Sequence, residues 1–178
     1  MSIIILGIQM MNIQSVKREQ IKDTTLMDEI LRLDQDNMKP IFQKLGQEMP
    51  FDRRKLAFNS PGKIIFASDD AGCLVGYLEY SPGWDDPKEI YISSIQIVTK
   101  YQNGMVLLLL IRHAINNCEF YRGQIIRTHG QKSNESAIRI YKRLGFDLDE
   151  SSDNNGTLSA IMVYPPKWPT KNLKNEGL

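Results

Sequence analysis

The spacing of apolar positions changes several times along the chain, and each change marks an element. Residues 12–19 read as a first strand, and the stretch after Asp23, TTLMDEILRLDQDN, places Leu26, Ile30 and Leu33 on one face of a helix capped by Asp23. A second helix is predicted at 38–46. KIIFAS (63–68) and LVGYLEY (74–80) are β-rich, and Asp69, Asp70, Ala71 and Gly72 between them carry turn chemistry, so the pair reads as a hairpin. EIYISSIQIV (89–98) alternates with period two. That period puts Ile90, Ile92 and Ser94 on one face and Tyr91, Ser93, Ile95 and Ile97 on the other, in a strand at the sheet centre. MVLLLLI (105–111) has the composition of a buried strand but continues through RHAINNC to helical length. A short strand at 124–128 precedes the best-marked helix. Asn134 can cap it, Glu135 suits its positive end, Lys142 and Arg143 suit its negative end, and Gly145 supplies a left-handed stop. Residues 146–148 and 157–163 close the sheet as a hairpin with SSDNNG as its loop. This order describes an α/β (α+β) sandwich with a mixed sheet. Order alone names no function.

Composition narrows the partners. The 178 residues fit one domain, and 22 Lys plus Arg against 21 Asp plus Glu leave no net field to gather nucleic acid or an anionic membrane, so neither is expected. Cys73 and Cys118 lie far apart without metal-ligand spacing, so no metal site is expected; both read as reduced core residues of a cytoplasmic protein, with a disulfide the less favoured reading. The opening run MSIIILGIQMM has neither a basic leader nor the length to cross a bilayer. Residues 1–11 therefore read as an extra edge strand or as an extension upstream of Met10 or Met11. Residues 12–164 form the domain, and 165–178, rich in Pro, Lys and Asn, read as a poorly ordered tail.

Spacings of three and four place Asn134, Ala137 and Tyr141 on one helical face, where a polar group, a small contact and a phenol line a groove. Taken alone, the same pattern describes an amphipathic helix with a half-buried tyrosine. SNESAIRIYKRLGF (133–146) resembles the N-x-x-A-x-x-x-Y-x-x-x-G-F helix of the GNAT N-acetyltransferases at Asn134, Ala137, Tyr141, Gly145 and Phe146. EIYISSIQIVTKYQNG resembles that family's central strand and the start of its acetyl-CoA loop, and DNMKPIFQKLGQ resembles the substrate-side helices of a bacterial branch. The resemblance spans nearly the whole chain. It implies a mixed, mostly antiparallel sheet flanked by helices, and transfer of an acetyl group from acetyl-CoA to the primary amine of a small molecule or peptide, with a homodimer left open.

The loop departs from the family's Q/R-x-x-G-x-G/A pattern, which brings backbone N–H groups at a helix start close to the pyrophosphate. In YQNGMVLLLL, Met105 and Leu107 occupy the two glycine positions when aligned from Gln102; a one-residue deletion across Asn103 restores Gly104 and puts Val106 at the second. This departure motivates the rival reading, an inactive binding module of the same fold. Glycine at Met105 and Leu107 together is expected to tighten coenzyme A binding. By resemblance Tyr141 is the general acid, and a backbone N–H near Ile97 or Val98 holds the oxyanion. Glu89 is preferred as base and as a substrate contact; Glu79 reads better as a solvated strand-end charge. His129 is a further base candidate set against a surface role, and His113 reads as structural. Trp84 and Phe42, with Gln43 beside the latter, are placed at the acceptor mouth. The strand beginning at Glu89 is expected to splay from 124–128, opening a V-shaped cleft that Tyr141 faces.

Overall fold

A computed structural model describes residues 2–6, 9–83, 86, 88–102, 104–117, 124–154 and 156–163. Trp84, Asn103, Cys118 and the tail 165–178 lie outside the described residues. The strands are β1 (Ser2–Leu6), β2 (Gln9–Lys17), β3 (Lys63–Ser68), β4 (Leu74–Pro82), β5 (Ile90–Ile97), β6 (Ile125–Gln131), β7 (Asp147–Asn154) and β8 (Thr157–Val163). They form one eight-stranded sheet in the order β1-β2-β3-β4-β5-β6-β8-β7. Every pairing is antiparallel except β5 with β6. The helices are α1 (Thr25–Lys44), α2 (Phe51–Leu56), α3 (Met105–Asn117) and α4 (Glu135–Arg143). None of the helices described is long and apolar enough to cross a membrane.

Two helical layers sandwich the sheet. On one face α3 and α4 pack over Ile65, Leu78, Ile92 and Ile126; on the other α1 covers Ile64 and Tyr77. The first face will be called the α3–α4 face and the second the α1–α2 face.

Several sequence expectations are corrected by local chemistry. The cap of α1 is Thr24, whose hydroxyl accepts from the Met27 N–H at 3.4 Å, while Asp23 takes a φ of 58° in the turn before it. The two predicted helices at 24–37 and 38–46 are one, because Pro40 sits within α1 without ending it. The six residues of α2 bury no side chain, so no period announced it. Residues 151–154 of the predicted SSDNNG loop instead belong to β7, leaving a short turn. Cys73 is exposed beside the β3–β4 turn, not in the core.

The correction with most consequence lies in β5. Glu79 pairs with Ser94 but Tyr80 with Ile92, so Ser93 is an unpaired extra residue, a β-bulge. The bulge resets the alternation. Ile90, Ile92, Ile95 and Ile97 all pack with the α3–α4 core. Tyr91, Ser94 and Gln96 turn to the α1–α2 face, where Ser94 meets the Tyr77 hydroxyl at 2.9 Å and Gln96 meets Asn37 of α1 at 3.0 Å.

Candidate active site

β5 and β6 pair only where Ile90, Tyr91 and Ile92 face Ile126, Arg127 and Thr128. Beyond Thr128, β6 stays with β8, while β5 stays with β4. The strands diverge, and a cleft of about 1550 Å³ opens between them, running from the N-terminal ends of α3 and α4 on one face to α1 and α2 on the other. Asn134, Ala137 and Tyr141 of α4 line it, as do Ile97, Gln102, Gly104 and Leu107. The Asn134 side chain accepts from the Ala137 N–H at 3.2 Å, so the cap and the groove face are the same residue. Tyr141 reaches the cleft because β6 carries Gly130 beneath it: a Cβ there would stand 3.0 Å from the phenol ring. Burial raises the Tyr141 pKa, opposed by a hydrogen bond with Thr128, and the phenol keeps its proton at neutral pH.

The splayed edge of β5 offers a backbone donor. The Val98 N–H is bonded to the Val75 carbonyl at 2.9 Å, which makes Gly76–Ile97 a non-hydrogen-bonded pair. In such a pair the N–H of Ile97 points away from β4, into the gap left by β6. Of the two donors expected from sequence, Val98 is occupied and Ile97 faces the cleft. The Ile97 carbonyl is held by Asn37 at 3.1 Å and Gln102 at 2.9 Å, fixing this segment from α1 and from the loop. Asn37 lies in the DNMKPIFQKLGQ segment that sequence placed on the substrate side, but nothing in its residue type announced this contact.

At the start of α3 the Leu108 N–H donates to the Gly104 carbonyl at 3.1 Å. The N-terminal turn of α3, where backbone N–H groups precede a helix's own ladder, borders the cleft at Gly104 and Leu107, and such a turn suits an anion. Val106 and Leu107 are buried, and Met105 packs on the same core. The bulk replacing the family's glycines is thus directed into the protein. Gly104, at a φ of 91° with open space where a Cβ would be, has the left-handed backbone that suits glycine at the first glycine position. This fits the one-residue deletion and alters an expectation: glycine at Leu107 removes a core side chain, at about 2–5 kcal/mol, more than helix propensity alone. The informative change is Gly104→Val. It forces a β-branched residue into the left-handed region, and we expect coenzyme A affinity to fall about tenfold, measured by calorimetry.

On the α1–α2 face, at the apex of the cleft, the Tyr91 hydroxyl lies 3.0 Å from His129 Nδ1, and both residues line the cleft. Desolvation, then the nearby Arg127, lower the His129 pKa, and Glu89 opposes them. Glu89 itself is bound by Arg127 at 2.5 Å and is not among the residues lining the cleft. The structure thus brings His129 into the site and places Glu89 behind it. Phe42 lines the cleft, whereas Gln43 and His113 do not. Glu79, expected as a solvated charge, is 1% exposed. It is gripped by Arg18 at 2.7 Å and by Arg54 at 2.6 Å, and Arg54 also holds Asp34 at 2.6 Å. Arg18 Nε and Glu79 Oε2 lie at contact distance of their partners without hydrogen-bond alignment, so this pairing is chiefly ionic. Tyr77 completes the cluster by donating to Asp34.

A mixed sheet whose central strand pair splays beside two helix N-termini is the arrangement of the acetyltransferase fold. The profile of the acetyltransferase (GNAT) family matches residues 27–146, and the chain belongs to that family. The N-terminal acetyltransferase complex ARD1 subunit homolog of Dictyostelium discoideum is 25% identical over 114 residues, covering 60% of this chain and 56% of that protein. The match thus spans little more than half of that relative. Among solved structures, the PaiA N-acetyltransferase of Thermoplasma acidophilum in complex with coenzyme A aligns with a TM-score of 0.64 at 10% identity, over 86% of this chain and 99% of that one. A GNAT-family acetyltransferase of Staphylococcus aureus aligns with a TM-score of 0.65 at 16% identity, over 85% and 97%. At these identities the likeness is one of fold.

Proposed function

We propose that the protein is an acetyl-CoA-dependent N-acetyltransferase that moves an acetyl group directly to a primary amine, with His129 as general base and Tyr141 as general acid. The observation that carries this reading is their placement on opposite faces of one cleft. His129 and Tyr91 stand on the α1–α2 side, Tyr141 on the side of the helix N-termini. An amine entering from α1 and α2 meets the base, and a thiol held near α3 and α4 meets the acid.

When bound, acetyl-CoA supplies the activated acetyl thioester. The N-terminal turn of α3 and Gly104 suit its pyrophosphate, and the Ile97 N–H suits the negative charge that develops on the acetyl oxygen. Transfer forms an N–C bond and breaks the C–S bond; the amine's proton passes to His129, and the sulfur takes one from Tyr141. A lowered pKa leaves His129 neutral near pH 7. In the tautomer that donates Nδ1–H to the Tyr91 oxygen, Nε2 is left as the acceptor. Glu89 and Arg127 tune this base from behind.

Two expectations test these roles. Tyr141→Phe should slow transfer about 10²-fold with coenzyme A affinity kept, the scale of losing a general acid. Equal turnover of the two proteins would show that the thiol leaves unaided. Arg127→Gln removes a cation that lowers the His129 pKa, so the ascending limb of kcat/KM should move to higher pH; Glu89→Gln removes an opposing anion and should move it lower. A pH profile unmoved by either change would separate His129 from the limb.

A further inference from the structure

Within the transferase reading above, we infer that the acceptor is an amine carried beside an apolar group and bearing no second charge. The lobe of the cleft on the α1–α2 face is walled by Met38, Ile41, Phe42, Met49, Pro50 and Leu56. Polar groups in this lobe do not select a polycation. Capturing one needs carboxylates with charge to spare, and the two buried carboxylates here, Asp34 and Glu79, are held by Arg54 and Arg18. Two anions meet two cations. At the surface, Asp36 and Arg53 line the same lobe with opposite signs. A second ammonium entering this space would find Asp34 and Glu79 already paired, would gain at most the exposed Asp36, whose field Arg53 on the same wall offsets, and would lose its water, a net cost. A hydrocarbon side chain loses nothing by entering.

The outer rim repeats the message. Of the five large apolar side chains exposed among the described residues, Leu45 follows α1 and Phe51 and Leu56 stand on α2, and Leu56, which also walls the lobe, is 64% exposed. An apolar rim continuous with an apolar lobe is a surface that a hydrocarbon-bearing acceptor covers on binding.

Either a free apolar amine or the first residue of a peptide meets this chemistry, and the test includes both. Binding to the full-length protein loaded with coenzyme A would be measured by calorimetry for leucinamide, a peptide beginning with leucine, glycinamide, spermidine and kanamycin. Acetylation of each would be followed in parallel with acetyl-CoA. Either leucine compound should bind at least tenfold more tightly than glycinamide, the span expected from burying a branched side chain, and more tightly than either polycation. Preference for the peptide over leucinamide would assign the rim to following residues; equal affinity would assign the lobe to a small molecule. Leu56→Asp, at an exposed position outside both core clusters, should erase the leucine preference while coenzyme A affinity stays the same. Tighter binding of spermidine or kanamycin, or no difference between leucine and glycine compounds, would overturn the inference. Binding with the expected preference but without acetylation of any amine would instead overturn the transferase reading and leave the lobe's selectivity standing.

Discussion

Replacing Glu79 by alanine should destabilise the fold by about 3–5 kcal/mol, because removing one partner of a buried ionic cluster leaves the others without compensation. Arg18 and Glu79 are among the least exposed charged side chains described, at 5% and 1%. Arg54 keeps Asp34 as an anionic partner, but Arg18, whose described ion pair is with Glu79, keeps only carbonyls, that of Ala57 at 3.1 Å among them. The resulting excess cation sits against the residues that follow α2, a helix that buries no residue of its own and whose Arg54 pairs with Asp34 of α1 and stacks on Phe58 at 4.9 Å. The loss should therefore appear both as a lower urea midpoint and as faster proteolysis at 50–60. Against a typical domain stability of about 5–15 kcal/mol this is a large fraction. A loss below about 1 kcal/mol would show that the cluster contributes only as exposed pairs do.

Replacing His129 by glutamine should lower kcat about 10³-fold at neutral pH, within the range for loss of a general base, while coenzyme A affinity is unchanged. Glutamine keeps a polar group near Tyr91 but accepts no proton. The residue is exposed on β6 and its nearest described polar partner is Tyr91, so folding should be little affected. The defect should shrink as pH rises toward the pKa of the amine, since a free amine no longer needs the base. A rate defect that is independent of pH would place the role of His129 in positioning, and an intact rate would remove it from the chemistry.

The sheet was largely legible because its strands are β-branched runs separated by turn residues. The hairpin of β3 and β4 and the final strand β8 fall where composition put them, and α4 announced itself through Asn134 and Gly145. What escaped depends on contacts between distant residues. A bulge at Ser93 has no local signature, yet it decides which face Ile95 and Ser94 occupy. Glu79 and Glu89 looked alike in sequence, as strand-end carboxylates. Only the fold brings Arg18 and Arg54 to one and Arg127 to the other. A lone histidine likewise gains meaning when β6 sets it beside Tyr91 at the apex of the splay. The groove face of α4 was readable from spacing, because a helix fixes the relation of residues three and four apart.

Whether this cleft joins acetyl-CoA to an amine is tested by following both products together. Purified protein would be supplied with acetyl-CoA and leucinamide, with released thiol and acetylated amine quantified over time for wild type, His129→Gln and Tyr141→Phe. Equal amounts of thiol and acetylated amine from the wild type, with about 10³-fold and 10²-fold slower formation in the two variants, is the predicted result. Saturable coenzyme A binding with no acetylated amine from leucinamide, a leucine peptide, glycinamide, spermidine or kanamycin would contradict it and identify the protein as a binding module of the same fold.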